Sequence, residues 1–304
     1  MSKNLFKEIN GCAQYLRERE DLNAKKDNSD TCINDTFNEV CELLDDDFEC
    51  HFPGEFDARC WELCIASQLK KSLAQCQEPL RVEKGEKKKN SGGPDFKLTV
   101  PHHAMTIYIE CVCPQKASQD TVKGGDFTFN EEVDKDKRHS SATWSGIDHA
   151  SVLRFTSALL NKSSAYQQYV DRDIIKQTSF KIVCVSGFAI GQDKAKRYCP
   201  ASPFHTLSVK EDFAAALYGE SNYSFGHDAS PVKRHMHPFS ATKNEKRTIQ
   251  VGFQPYLAMF DALIFFEKSP ADYLCREKHY RIYYNSKEKE RTLAPYLSLI
   301  FPSR

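Results

Sequence analysis

Gly92-Gly93-Pro94-Asp95-Phe96-Lys97-Leu98 is followed, past Pro101-His102-His103-Ala104, by Thr106-Ile107-Tyr108-Ile109-Glu110-Cys111-Val112. Ser91-Gly92-Gly93-Pro94 halts any regular structure arriving from upstream. After it, Met105, Ile107, Ile109 and Cys111 point one way, and Thr106, Tyr108, Glu110 and Val112 point the other. The alternation predicts a β-hairpin with strands at 95–100 and 105–113 and a turn at Pro101–Ala104. One acid opens its first strand and another lies near the end of its second. Two acids side by side on neighbouring strands suit a hard divalent cation such as Mg²⁺. Glu110 is the sharper of the two, because a carboxylate among Ile, Tyr and Val is costly to bury without a partner.

Outward from the hairpin, helix and strand signals alternate. Residues 1–50 read as a helical N-terminal extension, with capping-box spacing at Thr36-Phe37-Asn38-Glu39. Residues 56–77 carry a stronger helix, in which Trp61, Cys64, Ile65, Leu69 and Leu73 share a face and Glu62 lies near its edge. The basic run from Lys84 to Asn90 and the polar stretch 117–148 read as loops, the latter long and mobile. A helix at 151–170 precedes an apolar strand at Phe180–Ser186. Ser208-Val209-Lys210-Glu211 opens a further helix that Gly219 ends. Residues 220–247 read as polar loop, and strands are expected at 248–253, 258–266 and 280–284. This order predicts an α/β fold with a mixed central sheet flanked by helices, residues 51–304 forming one domain after the extension.

Composition narrows the possibilities. Among 304 residues, 42 Lys+Arg balance 42 Asp+Glu, so no global positive field draws the chain onto nucleic acid, and such binding needs a local basic patch. There are 12 Cys, but several, such as Cys60, Cys64, Cys111, Cys113 and Cys184, sit in apolar patterns, where a free thiol behaves as a small hydrophobe. With no apolar run of signal-peptide length at the N-terminus, a reduced, cytoplasmic setting is expected, and signal-less export to another cell fits equally. No stretch approaches the ~18 consecutive apolar residues of a membrane span.

Arg59-Cys60-Trp61-Glu62-Leu63, Gly93-Pro94-Asp95-Phe96 and Tyr108-Ile109-Glu110-Cys111-Val112, in that order, resemble the PD-(D/E)XK nuclease superfamily with its restriction-endonuclease-like core. That family has a helix bearing a Glu, a Pro-Asp opening a strand, Glu-x-Lys on the next strand, then a helix and a further strand. The resemblance covers roughly residues 56–187. It implies a metal-dependent phosphodiesterase in which Asp95, Glu110 and the backbone carbonyl of Cys111 hold Mg²⁺ or Mn²⁺, and Glu62 orders the metal's water shell. It departs at one position: Val112 stands where the family has its lysine. A β-branched apolar residue can neither orient water nor stabilise negative charge. Lys162, at the edge of the apolar face of the 151–170 helix, has a stem long enough to reach inward, and Lys97 shares the strand face of Asp95. Either would stand in for the lysine, and Lys116 is a weaker third option. The nucleic-acid partner would meet Arg154, Lys88 and Lys89, with Lys84, Lys87, Lys194, Lys196 and Arg197 as further cations, and many nucleases of this fold pair as homodimers. If none of the lysines serves, the chain is a degenerate relative that binds nucleic acid or protein without cutting. A third reading drops the resemblance and leaves an α/β interaction protein.

Other chemistry is less well supported. Cys111-x-Cys113 would need Cys60 and Cys64 to complete a zinc site. His102-His103 and His235-x-His237 sit in polar loops. No phosphate-binding Gly-rich loop, Gly-x-Gly-x-x-Gly or Gly-x-Ser-x-Gly occurs.

Overall fold

The computed structural model describes residues 5–6, 29–75, 79–85, 92–114, 128–134, 139–198, 206–218, 253–267 and 280–301. They belong to two compact units. The first comprises Met1–Cys113, Lys162–Phe188 and Ala258–Arg304, and the second Pro114–Asn161 and Ala189–Leu257.

The first unit is built on a mixed six-stranded sheet. Its strands are β1 (Arg81–Lys84), β2 (Phe96–Val100), β3 (Met105–Val112), β6 (Phe180–Ser186), β7 (Ala262–Phe266) and β8 (Arg281–Tyr284), in that spatial order. β1, β2 and β3 form an antiparallel meander, β3, β6 and β7 run parallel, and β8 closes the sheet antiparallel. The central strands show why they read as continuous apolar runs. All five residues of β7 and six of seven in β6 are buried, as parallel strands covered on both faces require. The mixed α/β architecture expected from the sequence is therefore present.

One sheet face carries Phe96, Leu98, Ile107, Ile109, Ile182, Cys184, Ile264 and Phe266. It shares a core with α1 (Ser29–Val40), α2 (Phe48–His51), α3 (Phe56–Gln75) and α7 (Lys287–Ile300). In α3, Trp61, Cys64, Ile65 and Leu69 are fully or almost fully buried, as their three-and-four spacing requires. Trp61 also pins helix to sheet: its indole N–H donates to the Cys184 carbonyl at 2.9 Å, and its ring stacks on Phe266 at 5.8 Å. The other sheet face presents Tyr108, Glu110 and Val112. Against it lies the Lys162–Asp171 part of α4 (His149–Asp171), whose Tyr166 hydroxyl donates to the carbonyls of Tyr108 and Ile182 at 3.3 and 3.2 Å.

The second unit contains the N-terminal part of α4, an antiparallel ribbon of β4 (Thr128–Asp134) and β5 (His139–Ser145), α5 (Phe188–Tyr198, from Ala189 onward) and α6 (Lys210–Tyr218). Buried charge links its helices. Lys194 meets Asp212 at 2.7 Å, Arg154 meets Asp193 at 2.8 Å, and Arg197 reaches Asp148 at 2.7 Å. Asp148 also caps α4, accepting from the Ser151 backbone N–H at 3.1 Å.

Several expectations are corrected. The stretch 117–148 is not one loop, because two strands occupy its described part. Thr36 caps nothing: it lies inside α1, and its hydroxyl donates back to the Cys32 carbonyl at 2.7 Å. The strand expected at 258–266 begins only at Ala262, after a 3-10 turn at Pro255–Leu257. Lys84 belongs to edge strand β1 and not to a loop. Helices α5 and α7 were not anticipated. Of the strand expected at 248–253, only Phe253 is described, and it is not in a strand.

Candidate active site

The β2–β3 register sets Phe96 opposite Ile109 and Lys97 opposite Tyr108. Carried back one residue, it sets Asp95 opposite Glu110. The segment around Asp95 is held by close packing. The Gly85 N–H donates to the Asp95 carbonyl at 2.8 Å, and a Cβ on Gly85 would fall 1.7 Å from the Pro94 oxygen. Only glycine lets β1 end so close to the Pro-Asp segment. Gly92 enters the same segment at φ +66, a left-handed conformation that glycine adopts without strain. Asp95 Oδ2 then accepts the backbone N–H of Cys111 at 2.7 Å, which ties its carboxylate to β3 beside Glu110.

Glu110 is 3 % exposed, and its Oε1 meets the Lys162 ammonium, which reaches it from α4. Tyr166, one turn further along α4, holds this part of the helix on the sheet through its two carbonyl contacts. Burial works against the Lys162 charge, but Glu110 and Asp95 outweigh it and hold the ammonium above its ordinary pKa, so the side chain stays cationic at neutral pH. Burial and the Glu110 carboxylate push the nearby Tyr169 phenol up to about 12.

On α3, Glu62 is buried, not a surface residue, and Arg59 Nη1 contacts its Oε2 at 3.0 Å. Burial, then the charge of Asp95, push the Glu62 carboxyl up to about 8. Glu62 and Asp95 thus share one field. Burial and the same aspartate raise the Cys111 and Cys184 thiols, which disfavours the thiolate form.

The remaining candidates are placed as follows. Val112, at the motif-lysine position, is buried on the Glu110 face. Lys97 lies across from Glu83 on β1, with Nζ 3.6 Å from its carboxylate. Arg154 is buried in the second unit against Asp193, where it is directed inward and not toward an external phosphate. Lys194 and Arg197 are likewise engaged by Asp212 and Asp148. Lys84 pairs with Asp45 and Asp46 at 3.6 and 2.9 Å. Lys87, Lys88, Lys89, Lys116, His235 and His237 lie outside the described residues. Cys60 and Cys64 are buried and Cys111 and Cys113 half-buried, and among the described residues no three His, Cys, Asp or Glu side chains gather as a metal-holding group.

The arrangement brings together Asp95, Glu110 and Lys162, with Glu62 within the electrostatic reach of Asp95. Sequence reasoning missed Arg59, although it stands three residues before Glu62 at ion-pair spacing on a helix. It also missed Tyr169, one helical turn beyond Tyr166 on the same side of α4. Among the described residues, no helix is long and apolar enough to cross a membrane. No known protein family, curated protein or solved structure matches the chain.

Proposed function

We propose that the chain is a metal-dependent phosphodiesterase acting on nucleic acid, built on a restriction-endonuclease-like core. The observation that carries this reading is the ion pair between Lys162 and Glu110 beside Asp95. It supplies, from a helix, the cation that Val112 withholds from the strand. With β1 added before β2 and the β4–β5 ribbon before α4, the elements α3, β2, β3, α4 and β6 also follow the order that the family resemblance implies.

The donor set fits a hard cation. Asp95 and Glu110 offer carboxylate oxygens, and the Cys111 carbonyl offers a third. Mg²⁺ characteristically takes only one or two carboxylates and completes its shell with waters and substrate phosphate, so two acids suffice. When bound, the ion would acidify a water and offset charge on the phosphate oxygens.

The chain's own residues do the rest. The Cys111 N–H fixes the direction of the Asp95 carboxylate. Lys162, always cationic here, orients the nucleophile and stabilises negative charge developing at phosphorus. Glu62, braced by Arg59, holds a proton beside the acids. The reading is tested by Mn²⁺ titration of the full chain, followed by calorimetry and by plasmid nicking. Binding and nicking that both disappear in Asp95→Ala support it, and undiminished metal-dependent nicking by that variant sinks it. A binding module without turnover is the second reading. It is favoured by Val112, an apolar residue buried on the Glu110 face where the family resemblance has its lysine.

A further inference from the structure

A cleft of about 640 Å³ opens in the first unit between the β2–β3 turn, the start of β6 and α7. It lies at the Met105 end of β3, whereas Glu110 is five residues further along. At ~3.3 Å per residue this is about 17 Å, so the cleft is separate from the acids. Its volume falls within the range of small-molecule sites, about 300–1,000 Å³.

The lining has a definite chemical bias. Lys176 and Arg291 bring positive charge, and among the described residues no Asp or Glu contributes to the walls. Thr106 and Thr178 add hydroxyls. Among the described residues, the side chains of these four make no hydrogen bond or ion pair with one another or with any neighbour. An aromatic wall stands beside them: the rings of His103 and Tyr296 meet edge to face at 5.9 Å. The turn that places His103 there passes through Ala104 at φ 47, a left-handed conformation uncommon for a residue with a Cβ. Such strain collects at functional segments.

We propose that this cleft binds a nucleotide, with its phosphates on Arg291 and Lys176 and its base against Tyr296. An Arg fork and a Lys point charge are the usual partners of phosphate oxygens, hydroxyl donors supplement them, and an aromatic face takes a base by stacking. This inference does not rest on the nuclease reading.

The test is calorimetric titration of the full chain with ADP, and in parallel with adenosine and with inorganic phosphate. ADP is expected to bind at least tenfold more tightly than either fragment. Arg291→Glu and Lys176→Glu should each weaken it tenfold or more, and Tyr296→Leu several-fold. Both cations are exposed, so charge reversal leaves the fold intact, and a melting curve checks this; Arg291→Gln replaces any variant that melts early. No ADP binding at millimolar concentration overturns the proposal. So does equal binding of phosphate and ADP, which marks a plain anion site, and so does ADP affinity indifferent to both charge reversals. Tight, Arg291-dependent binding of a DNA oligonucleotide without ADP binding overturns it in favour of a strand-binding surface.

Discussion

Glu110 is a buried carboxylate on a strand face shared with Tyr108 and Val112, and the Lys162 ammonium neutralises it there. The two partners are unequally exposed: the Lys162 side chain is 33 % accessible and that of Glu110 only 4 %. Removing the cation therefore strands a buried charge, whereas removing the acid leaves an ammonium that can turn to water. Lys162→Met is predicted to cost about 3 kcal/mol in urea unfolding, and Glu110→Gln clearly less. Equal losses would contradict the asymmetry. Glu62 makes a prediction in pH. In the unfolded chain it ionises in the ordinary carboxylate range, but in the fold it keeps its proton to about 8. Between those points the folded chain binds more protons than the unfolded one, so this group's contribution to stability falls as pH rises to about 8 and is level above. Glu62→Gln should flatten that slope in melting temperature against pH, and parallel profiles for the variant and the parent would refute it. Asp95 and Glu110 were legible as neighbours because strand alternation has a period of two and a hairpin fixes its own register. Lys162 was legible from its place at the edge of an apolar helix face. Arg59 and Tyr169 were not, since their partners come from the burial of Glu62 and Glu110, which local pattern does not reveal.

Elements deliver these side chains through close backbone contacts. β1 is followed directly by Gly85, whose missing Cβ admits the Pro94 carbonyl, and whose N–H holds the Asp95 carbonyl. Gly85→Ala must push the Pro94–Asp95 segment away. It should cost about 1–3 kcal/mol and lower any metal-dependent cleavage with it. A variant with parental stability and parental cleavage would show that the contact does not position Asp95. β1 was hidden in the sequence because it is a four-residue edge strand, Arg-Val-Glu-Lys, with three of its four residues charged. α7 was hidden by its polar first half and by Pro295, although Leu293, Leu297 and Ile300 are buried at helical spacing. The β4–β5 ribbon was hidden for a different reason: its sequence, rich in charge, Ser and Thr, lacks the apolar alternation that marks a half-buried strand. The hairpin, α3, α4 and β6 were legible because each carries a full apolar stripe or run of its own period.

Across the whole molecule, positive and negative charges balance, and much of the positive charge among the described residues is paired internally. That explains why sequence reasoning over-assigned phosphate contacts. A Lys or Arg inside an amphipathic helix looks alike whether it faces solvent or a buried acid far away in sequence. Lys194 is the clearest case, being 2 % exposed and paired with Asp212. Asp212→Asn is predicted to destabilise by about 3–5 kcal/mol, because it leaves that ammonium buried without its counter-charge. Hydrogen exchange should report the loss as faster exchange through α5 and α6. Unchanged protection there would show that the pair is not structural. The overall class, mixed α/β on a mixed sheet, was legible because it follows from the order of the strongest elements. The division into two units was not, because each unit is assembled from segments distant in sequence.

The most direct test of the central claim is the initial rate of Mn²⁺-dependent cleavage of plasmid and single-stranded nucleic acid by the parent, Lys162→Ala and Lys97→Ala. The account predicts cleavage by the parent and by Lys97→Ala, with a loss of at least a hundredfold in Lys162→Ala, about 2.7 kcal/mol of transition-state stabilisation. Parental rates in Lys162→Ala, or no cleavage by the parent on either substrate, would contradict it.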